Sequence, residues 1–284
     1  MANIADVVRR KVANWTVTAV RKDGSQASKP DVLVTEEPLE IRAESLSQQA
    51  QPIAVTMRTP GHDFELAVGF LFTEGMIKHS SDVNTVRYCQ LPDSVEQQFN
   101  VVTVSLASPF DEALSRRGMV TSASCGICGT TSIEQLAQMT SRIDLETGPV
   151  VRAQLLTSLP DIIRKAQPTF DRTGGLHAAG LVDASGDAYC VREDIGRHNA
   201  VDKVIGKAVL DGKVPISNHV LVVSGRLSFE IIQKAAMAGI AFIVAVGAPS
   251  NLAVETAEDL GISLVGFVRD GTANIYTHKH RIAN

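Results

Sequence analysis

The sequence predicts an α/β fold in which a mixed or parallel sheet is covered by helices on both faces. Three observations carry this. From about residue 151, strand-like and helix-like segments alternate. The strands "HVLVVSG" and "AFIVAVG" are apolar throughout, as strands buried on both faces must be. Finally, 44% of the 284 residues are hydrophobic, enough to bury a core without disulfides.

Each element follows from local pattern. "NWTVTAV" alternates as a strand does and runs into the polar break "RKDGSQASKPD". Leu39 to Arg58 reads as extended chain, closed by Pro60-Gly61. Phe64, Ala67, Val68, Leu71 and Phe72 recur at helical spacing. "NVVTVSLAS" alternates again. Ser132 and Gln135 have capping-box spacing, so the short helix "SIEQLAQM" begins after the cysteines that precede it. A helix is expected over Ala153 to Ala166, then two strands joined at Ser185-Gly186-Asp187. "GRHNAVDKVIGKAVLDG" is an amphipathic helix ending near Gly212. "HVLVVSG", "SFEIIQKAAMAG", "AFIVAVG" and "SNLAVETAEDLG" then read strand, helix, strand, helix, and "ISLVGFVRDGTANIY" reads strand, turn, strand.

Composition narrows the function classes. A net charge of -4 argues against a mainly electrostatic nucleic-acid binder. The N-terminal stretch lacks a signal-peptide core, and no apolar run approaches the roughly 20 residues of a membrane span. A cytoplasmic protein is expected, with no membrane or nucleic-acid partner, and reducing surroundings disfavour a structural disulfide.

Of the four cysteines, only Cys125 and Cys128 are clustered, in "TSASCGICGTTS". A zinc site would need two more ligands from elsewhere, so no catalytic zinc is expected. A thioredoxin-like pair would sit at a helix N-terminus, whereas the capping signal here comes several residues later. The pair could also be incidental buried thiols. A persulfide carrier needs one nucleophilic thiol, room around it and a loop that bends, which Gly126 and Gly129 provide. The spacing alone does not decide among these.

Polar residues gather at strand ends. His177 opens a strand after two glycines, and Asp194, Gly196, Arg197, His198 and Asn199 cluster where a helix begins. The other charges of that segment, Asp202 and Lys203 among them, read as a solvated helix face. Ser224, Gly225 and Arg226 form a strand-to-helix turn that could cradle a phosphate, with Ser228 opening the helix. "VGAPSNL" repeats this arrangement, with Ser250 or Asn251 as cap. Arg269 and Asp270 lie in a turn at a third strand end. Three such ends in one open sheet mark a ligand crevice, and Arg197, Arg226 and Arg269 suit a ligand bearing nucleotides.

In this order, "RTPGHDFELAVGFLFTEG", "SCGICG", "TGGLHAAGL", "REDIGRHNAVDKVIG", "SGRLSFEIIQKA" and "APSNLAVETAEDLGISLVGFVRDGTANIY" resemble the formate dehydrogenase accessory sulfurtransferase family, FdhD/NarQ. The resemblance implies a cytidine-deaminase-like α/β core and a smaller N-terminal part. On that basis residues 1–35 form an arm and strand, 36–120 a smaller α+β part, 121–132 a mobile cysteine loop, and 133–284 the core. It further implies a homodimer that accepts sulfur from a cysteine desulfurase. The sulfur would go to the molybdenum or tungsten bis(molybdopterin guanine dinucleotide) cofactor destined for formate dehydrogenase. By motif position Cys125 would carry the persulfide and Cys128 assist, while Phe267, Val268, Arg269, Asp270, Gly271 and Thr272 match the family's cofactor-binding turn. Deamination is disfavoured despite the expected fold: Ala178 and Ala179 follow His177, so the His-x-Glu proton shuttle is missing, and the Cys-x-x-Cys precedes the histidine. The alternative function is a chaperone that binds and inserts the cofactor without covalent chemistry.

Overall fold

A computed structural model of the chain describes residues 11–89, 99–111 and 142–284. Cys125, Cys128, the cysteine loop and the short helix expected after it lie outside these residues. Strands β1 (Val12–Val20) and β2 (Gln26–Val34) pair as an antiparallel ribbon. The polar stretch expected to be a break is therefore a tight turn over Arg21–Ser25 followed by a second strand. Pro30 is tolerated within β2 because a two-stranded ribbon leaves each strand a free edge, where the missing N–H costs no ladder bond.

Strands β3 (Glu37–Ser45), β4 (Gln48–Arg58), β5 (Val83–Tyr88) and β6 (Val101–Leu106) form a sheet in the order β4-β3-β6-β5. Between β4 and β5 runs helix α1 (Asp63–Thr73), whose acidic first turn suits the positive end of its dipole. The short β7 (Val151–Arg152) leads into α2 (Ala153–Leu156) and α3 (Leu159–Arg164). The single helix expected over Ala153–Ala166 is thus two, because Pro160, lacking an N–H, starts a new helix rather than continuing the old one. After α4 (Pro168–Thr173) the chain alternates as the sequence implies: β8 (His177–Val182), β9 (Ala188–Asp194), α5 (Arg197–Leu210), β10 (Val220–Val223), α6 (Phe229–Met237), β11 (Phe242–Ala245), α7 (Asn251–Leu260), β12 (Ser263–Arg269), β13 (Thr272–Thr277) and β14 (Ile282–Ala283).

The main sheet is mixed, in the order β13-β12-β11-β10-β8-β9. β10, β11 and β12 run parallel, with β8 antiparallel to β10 and β13 to β12. Successive residues of one strand enter different cores. Leu221 and Val223 join α5, α6 and α7 on one face, while Val220 and Val222 join Leu159 and Ile163 of α3 on the other. Both faces are therefore covered, which is why β10 and β11 carry no polar residue. The first core runs on without interruption through Leu66 and Leu71 of α1 to Leu39 and Ile41 of β3. Helices α1 and α5 join the N-terminal sheet to the main one, touching backbone to backbone at Gly69 and Gly206.

The charged residues of α5 are not a solvated face. Asp202 and Lys203 are buried, because partners distant in sequence reach them: Lys234 of α6 and Thr73 of α1 for Asp202, and the Thr59 carbonyl, beside the nearer Asp194, for Lys203. A further pair ties α1 to β9, where Arg192 donates to Glu65 from Nε and Nη2 at 2.5 and 2.8 Å. Burial pushes the Glu65 carboxyl up, but the hydrogen bonds from Arg192 and His62 outweigh it and hold its pKa at about 2. Its folded-state pKa is depressed, so the pair stabilises the fold above the unfolded value of 4.5 and stops doing so as pH falls towards 2. Urea midpoints of the wild type and Glu65→Gln should accordingly differ at pH 7 and converge on acidification over that range. Among the described residues no helix is long and apolar enough to cross a membrane.

Candidate functional site

Three strand ends meet in one line. Val246 donates to Val223, Gly247 to the Gly225 carbonyl at 3.2 Å, and Phe267 to the Gly247 carbonyl at 3.2 Å. The turns after β10, β11 and β12 are thus laced edge to edge at the carboxyl end of the parallel strands, where open α/β sheets bind ligands. The lacing requires glycine at 247: a Cβ there would lie 2.6 Å from the Gly225 carbonyl oxygen and 2.9 Å from the Arg226 backbone. Ser224 fixes the first turn to β8, its hydroxyl accepting from the Ala178 amide at 2.9 Å while its own amide donates to the Ala178 carbonyl.

This brings His177, at the start of β8, beside Gly225. A Cβ on Gly225 would meet the His177 ring at 3.3 Å and the Arg197 Cβ at 3.7 Å. His177, Gly225 and Arg197, far apart in sequence, are therefore neighbours. Burial, then the positive Arg197, lowers the His177 pKa. His198 follows on α5, with Nε2 3.2 Å from the Ser228 hydroxyl and 3.9 Å from Glu230. Burial first, then Lys234 and Arg197, pushes His198 down to about 4, so it is neutral at pH 7. Glu230 is held low: burial raises it, but the hydrogen bond from Ser228, its own backbone N–H and the neighbouring His198 outweigh that. Ser228 caps α6 by position, yet its hydroxyl makes no capping bond. Ser250, by contrast, caps α7 by accepting from the Ala253 amide at 3.2 Å.

Arg197 carries the site's most informative atom. Its Nε is buried and has no hydrogen-bond partner among the described residues. Leaving such a donor unsatisfied is costly, about 1–3 kcal/mol or more for a charged group, and it is paired in most folded proteins. The Arg197 side chain leaves α5 beside Gly225, on the turn that also carries the exposed Arg226. An acceptor-rich, anionic ligand would satisfy the first and be screened by the second.

The third strand end is a hairpin. Arg269 pairs with Thr272, and Asp270 and Gly271 take φ of 52° and 71°, the two left-handed positions of a tight hairpin turn for which Asp-Gly is suited. The Thr272 hydroxyl closes it on the Arg269 carbonyl at 2.9 Å. Arg269, Asp270, Gly271 and Thr272 are exposed, with the Arg269 guanidinium 5.9 Å from the Phe267 ring centre. Phe267 has φ of 54°, a strained setting for an aromatic residue, at a break in register between Gly266 and Arg269. That break turns Val268 inward, 1% exposed in the second core, so its side chain cannot touch a ligand. Of the six residues expected in this turn, five remain accessible to a ligand. Cys190 is buried among apolar residues, where burial pushes its thiol up to about 11, unlike a reactive thiol.

Sequence reasoning placed the three turns and both histidines correctly along the chain. It missed Glu230, and it missed Thr59, which meets the segment before Arg197 from the end of β4. No local pattern marks either; only the tertiary fold brings them in.

Comparison with known proteins agrees with this architecture. The sequence model described as the FdhD/NarQ family matches residues 34–283. A protein of Streptomyces avermitilis named sulfur carrier protein FdhD is 46% identical over 267 residues, covering 92% of this chain and 93% of its own. Its namesakes from Mycobacterium tuberculosis and the archaeon Saccharolobus solfataricus are 47% and 39% identical, covering 90% and 92% of this chain and 93% and 95% of theirs. The crystal structure of a formate dehydrogenase accessory protein from Desulfotalea psychrophila superposes with a TM-score of 0.74. It covers 96% of this chain and 100% of its own at 22% identity, a likeness of fold.

Proposed function

The chain belongs to the FdhD/NarQ family, and from that premise we propose that it is a cytoplasmic sulfur carrier, a sulfurtransferase serving formate dehydrogenase. Its sulfur donor is a cysteine desulfurase. Its acceptor is the molybdenum or tungsten bis(molybdopterin guanine dinucleotide) cofactor, bound here as a substrate. The names of its relatives and the Cys125–Cys128 pair support the first half. The Cys125 thiolate attacks the outer sulfur of the donor's persulfide; the donor's S–S bond breaks, its cysteine leaves as a thiolate, and Cys125 keeps S–SH. Cys128, three residues on in the sequence, would assist. A homodimer would offer two equivalent crevices to a ligand with two nucleotide arms.

The observation that carries the second half is the buried, unpartnered Arg197 Nε at the joined strand ends. A phosphate oxygen supplies the acceptor it lacks, and Arg226 and Arg269 neutralise remaining charge at the rim. Neutral His177 and His198 line the same crevice without adding charge, and the exposed hairpin at 269–272 offers backbone groups to a nucleotide arm. Titration with GDP, as one arm of the cofactor, tests this. Arg197→Met should weaken GDP binding about tenfold or more, the worth of one charge-assisted hydrogen bond. Unchanged affinity in a folded variant would remove Arg197 from the site.

A further inference from the structure

Behind the crevice lies a carboxylate that touches no solvent. Asp194, at the end of β9, is 0% exposed and ties the start of α5 to the end of β4. Its Oδ1 accepts from the Gly196 amide at 2.8 Å and from Asn199 Nδ2 at 3.0 Å. Its Oδ2 accepts from the Thr59 amide at 3.2 Å and pairs with Lys203 Nζ at 2.6 Å. The end of β4 completes the seat: the Ile195 amide donates to the Thr59 hydroxyl at 3.3 Å, and Asn199 donates to the Met57 carbonyl at 2.8 Å. Arg197 follows immediately. These hydrogen bonds, with that from the Ala200 amide to the Gly196 carbonyl at 3.0 Å, fix the turn that aims it, since Gly196 has no side chain to restrict it.

We propose that Asp194 is a positioning residue for the nucleotide ligand, acting through the 194–197 turn to aim the Arg197 guanidinium, and that Thr59 makes the N-terminal sheet part of the ligand site. This rests on the crevice being the nucleotide site. Asp194→Asn keeps the shape but presents an NH2 group to one of the donors that the carboxylate now satisfies, so the turn loosens while the surrounding apolar core is untouched.

The experiment uses the full chain, with GDP affinity by calorimetry beside sulfur loading of Cys125 by mass spectrometry. Asp194→Asn should weaken GDP binding about tenfold, raise hydrogen exchange at the Ile195 and Gly196 amides, and leave sulfur loading in place. A group serving only stability would lower the unfolding midpoint and leave GDP affinity within about twofold of wild type, and that result overturns the inference. If Asp194→Asn shows no cooperative unfolding, Thr59→Val decides: about threefold weaker GDP binding supports the inference, and unchanged binding sinks it. A wild type that binds no GDP also overturns it. A wild type that binds GDP but takes no sulfur fails the sulfur-carrier reading and leaves this comparison standing.

Discussion

Replacing Gly69 with alanine should cost about 4 kcal/mol or more, a large part of a typical domain's 5–15 kcal/mol. The added Cβ would lie 1.9 Å from the Asp202 carbonyl oxygen and 2.9 Å from the Gly206 amide nitrogen. Gly206→Ala is the mirror case, its Cβ 1.8 Å from the Glu65 carbonyl oxygen. Overpacking costs 1–3 kcal/mol when side chains can give way. Here the obstacle on each side is helix backbone, so α1 and α5 must separate and the continuous core between the two sheets opens with them. Gly175→Ala is the control: its Cβ would come no nearer than 3.4 Å to any neighbour, a Val34 methyl, and its midpoint should move little. Urea unfolding of the three variants checks this. A Gly69→Ala protein as stable as the control would mean the helices do not touch as described.

The second large effect lies one turn away. Lys234 donates to both Asp202 oxygens at 2.9 and 3.0 Å and to the Thr73 hydroxyl at 2.9 Å, and Thr73 donates to Asp202 at 2.9 Å. α1, α5 and α6 thereby share one buried ionic knot. Lys234→Met leaves the Asp202 carboxylate buried with a single hydroxyl partner and should cost about 3–5 kcal/mol. The double variant Asp202→Leu, Lys234→Met removes both charges and should be much milder, because the Coulombic gain of a buried pair roughly offsets its desolvation. Unfolding free energies for both singles and the double close the cycle. Single variants no worse than the double would show that the charges are not desolvated together.

These two features also mark what local sequence pattern can and cannot convey. The wholly apolar strands β10 and β11, the Ser250 cap and the Asp-Gly turn are legible because each is a local solution to a local problem: burial on both faces, an orphan amide, a left-handed turn. The strand-end turns are legible for the same reason. Asp202 and Lys203 misled because helical periodicity sees charge, not the distant partner that lets a charge be buried. β2 was hidden by its polar composition, since a ribbon needs no apolar face to keep its register. Val268 was expected at the ligand, but the strained Phe267 before it shifts the strand's register and turns it inward. The unpaired Arg197 Nε and the Asp194 seat behind it are consequences of packing, and only the folded chain displays them.

The proposal that this chain carries sulfur is tested most directly by the mass of the peptide containing Cys125 after incubation with a cysteine desulfurase and cysteine, without reductant. A carrier gains about 32 Da on that peptide, one sulfur atom, removable by a thiol and missing from Cys125→Ala. A wild-type peptide of unchanged mass, in a protein that still binds GDP, would contradict the covalent carrier and leave a cofactor-binding chaperone in its place.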